Sequence, residues 1–323
     1  MLGGFACDHA KDASQSQTAP PAAHEATKPT LNFPPDSGPP PTINADRAWQ
    51  YVNDVVKFGE RPIGSENHKK LEDYILGHLK GDEVESDSFL ADTPEGKFPV
   101  HNIIAKYPRT KDGIIVIAGH YDTNYWLRGT GYVGANDGGS TTAILLEFAN
   151  QLRGQLREKK LEGYSVWLLW TDAEESVRST WTDSDSLYGT KHLAARWQQD
   201  GTAQKIKAFL LTDMIGDADL DIDRDDNSTP WLEDVVYEAA TRLGYQSHFF
   251  ARENAIDDDH LPFMKIGVPS ADIIDIDYGY NDVYHHTPQD TIDKLSPKSL
   301  EIVGGVILET VRILDKMESL PPR

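Results

Sequence analysis

Short apolar segments alternate with longer amphipathic ones along this chain, and this alternation limits the folds open to it. The apolar segments have the length and branched side chains of buried strands, and they cover 98–108, 113–122, 164–172, 207–217 and 271–277. The amphipathic segments have helical spacing, and they cover 44–59, 65–80, 140–156, 186–199, 229–244 and 296–317. Ser140 and Ser296 are the predicted N-caps of two of these helices. The pattern predicts an α/β sandwich around a mostly parallel sheet.

Charge and cysteine content exclude several classes of protein. The 323 residues include 52 acidic and 31 basic side chains, a formal net charge of −21, whereas nucleic-acid binding requires a basic face. This charge is consistent with solubility alone or with attraction of a cationic ligand. Cys7 is the single cysteine, so no intrachain disulfide forms and a transition-metal site has to use His, Asp and Glu. No apolar run reaches the roughly 18–20 residues of a membrane span.

Residues 1–41 differ in composition from the rest of the chain. The stretch 8–41 is rich in Pro, Ala, Ser and Thr and has hardly a large apolar side chain, which predicts a disordered tether. The opening MLGGFAC faintly resembles a lipoprotein cleavage box, without the basic region and full apolar core of an export signal. Two interpretations stay open, a truncated export signal of a periplasmic, lipid-anchored or extracellular protein, and a flexible start of a cytoplasmic one. The catalytic domain is predicted to span residues 42–323.

Acidic and imidazole side chains follow most of the predicted strands. They are His120 and Asp122, then Asp172, Glu174 and Glu175, then Asp213 and Asp217, then His285 and His286, with Asp137 in a glycine-flanked turn. Ligands collect at the carboxyl ends of parallel strands, and so many carboxylates in one cleft need a cation to balance their charge. For ligands of these types zinc fits best, and manganese or cobalt would be tolerated.

The same residues carry a resemblance to a known family. The segments HYD at 120–122, GAND at 134–137 and EE at 174–175, together with Asp213 and His286, are similar to the motifs of zinc aminopeptidases. FGERPIGS, HYDTNYW, EES, DSLYGTKHLA and DDDHLPFMKIGVP resemble the glutaminyl cyclase branch of that family, from about residue 45 to 315. The resemblance implies a single-domain, three-layer α/β/α sandwich with a mixed, mainly parallel central sheet. It also implies an enzyme that converts the N-terminal glutamine of peptides or proteins to pyroglutamate and releases ammonia.

The resemblance also implies a role for each motif residue. Asp137, Glu175 and His286 would bind one catalytic zinc, and Glu174 would be the general base and acid. Bound zinc would polarise the γ-carbonyl of the glutamine, while Glu174 would carry a proton from the α-amine to the departing ammonia. The two adjacent glutamates would then have separate tasks.

A carboxylate pair and a tryptophan complete the implied site. Asp213 and Asp258 would form a hydrogen-bonded pair beside the general base and keep its pKa in a working range. Trp181 would line the pocket for the substrate side chain, or, in the other interpretation, would cover the core from a loop. His260 is expected to cap or orient rather than to bind metal.

The chain departs from the cyclase pattern next to the metal histidine. An aromatic residue is expected there, and His285 takes its place. His285 could stack on the substrate, lie on the surface or be a rival metal ligand. Tyr278 and Tyr280 are candidates for the missing pocket aromatics. A second departure is Asp257, which stands where an amide is expected.

Two other functions stay open at this stage. The first is a zinc aminopeptidase that hydrolyses N-terminal residues, since the residues for a second metal, His120 and Asp213 together with Asp137, are all present. The second is a non-catalytic relative, which would be expected to lose ligands, and none is lost here. The sequence indicates no oligomeric state.

Overall fold

The computed structural model describes residues 31–36 and 38–322, so the predictions for residues 1–30 lie outside it. Over the described residues the chain forms eight strands and seven α-helices. The strands are β1 (Glu83–Thr93), β2 (Gly96–Tyr107), β3 (Lys111–His120), β4 (Tyr164–Thr171), β5 (Ile206–Asp213), β6 (Ile222–Asp225), β7 (Phe249–Asn254) and β8 (Ser270–Ile274). The helices are α1 (Ala45–Val56), α2 (Glu66–His78), α3 (Gly139–Arg157), α4 (Tyr188–Asp200), α5 (Pro230–Leu243), α6 (Leu261–Lys265) and α7 (Pro297–Lys316).

The central sheet has the strand order β1-β2-β4-β3-β5-β8. Its four strands β4, β3, β5 and β8 run parallel, whereas β2 pairs antiparallel with both β1 and β4. The predicted mixed, mainly parallel sheet is therefore confirmed. β6 and β7 form a separate parallel pair, which the sequence pattern does not predict.

Helices cover both faces of the sheet. Ile115 and Ile117 of β3 face the core formed with α1, α3, α5 and α7. Val116 and Ala118 of the same strand face a second core formed with α4 and α6. Because successive side chains of a strand point to opposite faces, a strand covered on both sides has to be apolar at nearly every position. This arrangement confirms the three-layer sandwich. None of the described helices is both long and apolar enough to cross a membrane.

The start of α3 differs from its prediction. Ser140 is not the N-cap, because the helix begins at Gly139 and is capped by Gly138 with φ of 75°. The Ser140 hydroxyl instead donates a hydrogen bond to the Asn136 carbonyl at 2.7 Å. A Cβ at position 138 would lie 2.7 Å from the Asp122 carbonyl oxygen. Glycine, which adopts positive φ at little steric cost, therefore lets this turn lie against the end of β3.

The packed part of the chain begins upstream of the predicted boundary at residue 42. Leu31 and Phe33, among the first residues that the structure describes, pack against the core. Arg242 Nη2 also donates a hydrogen bond to the Pro34 carbonyl at 2.6 Å. Apolar contacts thus hold the end of the segment that composition alone assigns to the tether.

Candidate active site

The carboxyl ends of β3 and β5 and the turn before α3 bring three ligand-type side chains together. Nε2 of His120 lies 3.0 Å from Oδ1 of Asp137 and 3.2 Å from Oδ1 of Asp213. All three side chains are buried. These are the residues that the sequence assigns to a second metal ion.

Asp137 also faces the loop that follows β8. Its Oδ2 lies 3.4 Å from Nε2 of His286, and the same nitrogen lies 3.5 Å from Oε2 of Glu175. The structure therefore brings together Asp137, Glu175 and His286, the residues that the sequence assigns to the catalytic zinc. The Asp137 carboxylate lies between the two sets of ligands, with Oδ1 toward His120 and Oδ2 toward His286.

Several groups hold the Asp137 carboxylate in place. The buried carboxylate of Asp290 accepts hydrogen bonds from the backbone N–H groups of Asn136 at 2.8 Å and of Asp137 at 3.1 Å. The Tyr132 hydroxyl donates to Oδ2 of Asp137. Burial opposes ionisation of Asp137, but hydrogen bonds from the two nearby histidines outweigh it and hold its pKa well below the usual range. Asp137 is therefore an anion, as a metal ligand has to be.

The loop after β4 separates the two adjacent glutamates. Ala173 has a left-handed backbone with φ of 54°, and the Asp122 carboxylate accepts hydrogen bonds from the N–H groups of Glu174 and Glu175 at 3.2 and 3.3 Å. Oε2 of Glu174 then lies 3.8 Å from Nδ1 of His120, while Glu175 faces the other histidine. The two side chains thus diverge toward different groups, as separate roles require.

Burial and mutual repulsion make this carboxylate cluster a site for a cation. Burial and the neighbouring Glu175 charge raise the pKa of Glu174 well above its usual range. Burial and the Asp137 charge raise the pKa of Glu175 to about 7. Oε1 of Glu175 and Nδ1 of His120 are buried without a hydrogen-bond partner among the described residues. Unsatisfied buried ligand atoms beside clustered carboxylates fit a bound divalent cation, and imidazole with carboxylate is a donor set that suits zinc.

Asp258 belongs to the same buried region. Burial, followed by the charges of Asp213 and Asp259, raises its pKa well above the usual range. Within the described part of the molecule no hydrogen bond joins Asp213 to Asp258, so the two interact through their charges. His260 is the N-cap residue of α6, and its Nε2 lies 3.0 Å from Oδ2 of Asp225.

The predicted pocket residues have different positions relative to the metal ligands. The ring centroid of His285 lies 4.0 Å from that of His286, and ligand atoms of Asp137, His285 and His286 lie within 4.8 Å of one another. Tyr280 is 85% exposed, whereas Tyr278 is buried and its hydroxyl donates to Asp290 at 2.9 Å.

Trp181 lies in the loop between β4 and α4 and is half-buried. No ring contact joins it to the site histidines in the residues that the structure describes. Trp126 does meet a site histidine, since its ring centroid lies 6.3 Å from that of His286 in an edge-on arrangement. The Asn124 amide in the same loop donates to the Glu175 carboxylate. The sequence pattern predicts no role for Trp126 or Asn124, although both lie in the segment HYDTNYW.

Comparison with known proteins gives consistent results. Residues 102–311 match Peptidase family M28. A glutaminyl-peptide cyclotransferase from Drosophila melanogaster is 30% identical over 270 residues, which cover 75% of this chain and 75% of that protein. The crystal structure of a glutaminyl cyclase from an Acidobacteriales bacterium is 48% identical, with a TM-score of 0.83, and the match covers 88% of this chain and 99% of that one. A Zn-dependent exopeptidase from Parabacteroides distasonis is 26% identical, with a TM-score of 0.73 over 84% of this chain and 98% of that one.

Proposed function

The chain belongs to Peptidase family M28, in its glutaminyl cyclase branch, and from this premise we propose that it converts the N-terminal glutamine of peptides and proteins to pyroglutamate. The observation that carries the proposal is the divergence of Glu174 and Glu175, because it provides a proton carrier next to a metal ligand. In the reaction the α-amine nitrogen bonds to the γ-carbonyl carbon, the bond from that carbon to the amide nitrogen breaks, and ammonia leaves.

The residues around Asp137 fit a zinc ion. Asp137, Glu175 and His286 would hold it, and when bound it supplies a Lewis acid for the γ-carbonyl oxygen. The Asn124 amide, which donates to the Glu175 carboxylate, orients that ligand. Asp290 accepts a hydrogen bond from the N–H group of Asp137 and so positions the backbone of that second ligand. One zinc per protein molecule is the stoichiometry that we propose for the cyclase.

Glu174 moves the proton. Its carboxylate accepts a proton from the attacking α-amine and returns it to the departing nitrogen, so the reaction needs no net proton from solvent. Burial raises the pKa of Glu174, and this makes its carboxylate a stronger base than an exposed one. Glu174 is only 6% exposed, which limits the water that could compete with the amine for the carbonyl carbon.

Asp258 and Asp213 tune the surroundings of this base. The raised pKa of Asp258, caused by burial and then by the Asp213 charge, favours its protonated form. A neutral Asp258 adds no negative charge beside Glu174 and so does not raise the pKa of that base further.

The alternative function is aminopeptidase activity, and one observation favours it. His120, Asp137 and Asp213 form an intact second ligand set, with contacts of 3.0 and 3.2 Å. A two-metal centre would activate water for hydrolysis rather than an amine for cyclisation. The similarity to glutaminyl cyclases over nearly the whole packed region favours cyclisation.

The proposal is tested with a Gln-initiated peptide and the zinc-loaded protein. We expect the product to have lost one ammonia and to have no free amine. Glu174→Gln should lower kcat by at least about a hundredfold and leave zinc content unchanged, because Glu174 is no ligand. Glu162→Gln, at an exposed glutamate, is the matched control and should keep full activity. A wild-type rate in Glu174→Gln would contradict the role of this residue.

A further inference from the structure

A groove lies beside the loop that carries Trp126. We call it the side groove, and it is lined in part by Trp126 and Val177. The Trp126 ring meets that of His286 edge-on, so one wall of the groove adjoins the metal site. Its volume is about 730 Å³, which lies within the range of ligand-binding pockets. The groove therefore has the position and the size to hold residues that follow an N-terminal glutamine.

Arg128 is an exposed cation in the wall of this groove. Its guanidinium stacks on the Tyr125 ring with Cζ 3.9 Å from the centroid, and Nη1 donates to the Tyr125 carbonyl at 2.7 Å. Among the described residues no carboxylate forms an ion pair with it. Glu60 lies close in the fold, but its oxygens accept from the N–H groups of Gly129 and Gly131 at 2.6 and 2.5 Å. The Nε–Nη2 edge of Arg128 is thus available to a ligand.

The other charges of the side groove are already matched. Nε of Arg178 lies 3.0 Å from Oε1 of Glu95. The carboxylate of Asp185 accepts from the N–H groups of Val177 and Arg178 at 3.2 and 3.1 Å and from the Tyr188 hydroxyl at 2.8 Å. Of the two arginines in the described lining of the groove, Arg128 is therefore the one without a carboxylate partner.

We propose that Arg128 makes this enzyme select Gln-initiated peptides with an acidic side chain among the residues that follow the glutamine. A guanidinium binds a carboxylate through two parallel N–H donors. Stacking on the Tyr125 ring fixes the plane of the Arg128 guanidinium and so the direction of these donors. The inference rests on the proposed cyclase function and adds a preference to it. Because the pair is exposed, the preference is expected to be about two- to fivefold in kcat/KM.

The test is a set of C-terminally amidated peptides that begin with Gln and carry Glu, Gln or Lys at position 2, 3 or 4. Amidation removes the terminal carboxylate, and an unamidated Gln peptide measures the effect of that group separately. In the wild-type enzyme the best Glu peptide should have a kcat/KM about two- to fivefold above its Gln counterpart, with Lys lowest. Added salt should reduce the difference, since exposed charges are screened.

Arg128→Gln should abolish the preference, so that the ratio of kcat/KM for the Glu peptide to that for the Gln peptide falls to about one. Arg157→Gln is the matched control, since it removes the same charge at the exposed last turn of α3, and it should keep the preference. Equal kcat/KM for Glu and Gln peptides in the wild type, or an unchanged preference in Arg128→Gln, would overturn the inference. Absence of cyclisation with every Gln peptide would instead refute the proposed function.

Discussion

Replacement of Asp290 by asparagine should weaken zinc binding without destabilising the metal-free protein. Oδ1 of Asp290 accepts from the Asn136 N–H group and the Tyr278 hydroxyl, and Oδ2 accepts from the Asp137 N–H group. An asparagine can keep the two bonds to Oδ1, but it places an amide donor against the Asp137 N–H group. A buried donor left without a partner costs about 1–3 kcal/mol.

An opposing gain offsets this loss in the metal-free protein. Burial, and then the Asp137 charge, raises the pKa of Asp290 from 3.8 to about 7. At 1.36 kcal/mol per pKa unit, ionised Asp290 costs the fold about 4 kcal/mol relative to water. The folded protein holds the proton to higher pH than the unfolded chain, so this group lowers stability as pH rises from about 4 to 7. The two changes partly cancel at pH 7, and we expect the metal-free variant to be more stable by about 1–3 kcal/mol.

Bound zinc should favour the wild-type aspartate over asparagine. Its positive charge stabilises the Asp290 anion, and this anion holds the backbone of the ligand Asp137. Loss of such a supporting group lowers metal affinity by about 10–100-fold. The measurements are chelator competition for zinc and urea unfolding of the metal-free protein at pH 7. Asp293→Asn, at an exposed neighbouring aspartate, is the control and should change neither. Unchanged zinc affinity in Asp290→Asn would refute this reasoning, as would a metal-free variant that is less stable than the wild type.

Three further predictions concern the rest of the fold and the site. Burial opposes ionisation of Glu72, but hydrogen bonds from His101 and Lys69 lower its pKa to about 2. Glu72→Gln should therefore lower the free energy of unfolding in urea by about 1–2 kcal/mol at pH 6. The difference between variant and wild type should vanish as pH falls from about 4.5 toward 2, because the wild-type carboxylate becomes protonated. Gly138→Ala should destabilise by at least about 2 kcal/mol because of its positive φ, whereas Gly154→Ala, in the interior of α3, should stabilise by about 0.5–1 kcal/mol. His285→Phe should keep one bound zinc in a metal analysis, and loss of the ion would make His285 a ligand.

The alternating strand and helix patterns are the part of this structure that the sequence predicts. The strands buried on both faces are apolar at almost every position, so their ends, and with them His120 and Asp213, could be located from sequence. β1 is an edge strand with charged and exposed positions, and its pattern does not indicate burial. Local patterns also do not distinguish Gly138 from Ser140 as the cap of α3, since both residue types cap helices.

Contacts between distant segments were not predictable in the same way. Asp290 supports Asp137 across 153 positions of the sequence, and no local spacing indicates such a pair. The roles of Trp126 and Asn124 follow from the way in which the loop after β3 folds over Glu175 and His286. Tyr280 is expected in the pocket because an aromatic is missing there; its side chain is 85% exposed, and its place in the pocket stays a prediction.

The most direct test gives the zinc-loaded enzyme a Gln-initiated and a Leu-initiated peptide in one reaction and follows both masses. A single bound zinc, with Asp137, Glu175 and His286 as ligands and Glu174 as proton carrier, predicts that the Gln peptide loses ammonia and that the Leu peptide stays intact. Release of free leucine, with no loss of ammonia from the Gln peptide, would contradict the cyclase and identify the second ligand set, His120 and Asp213, as part of a peptidase.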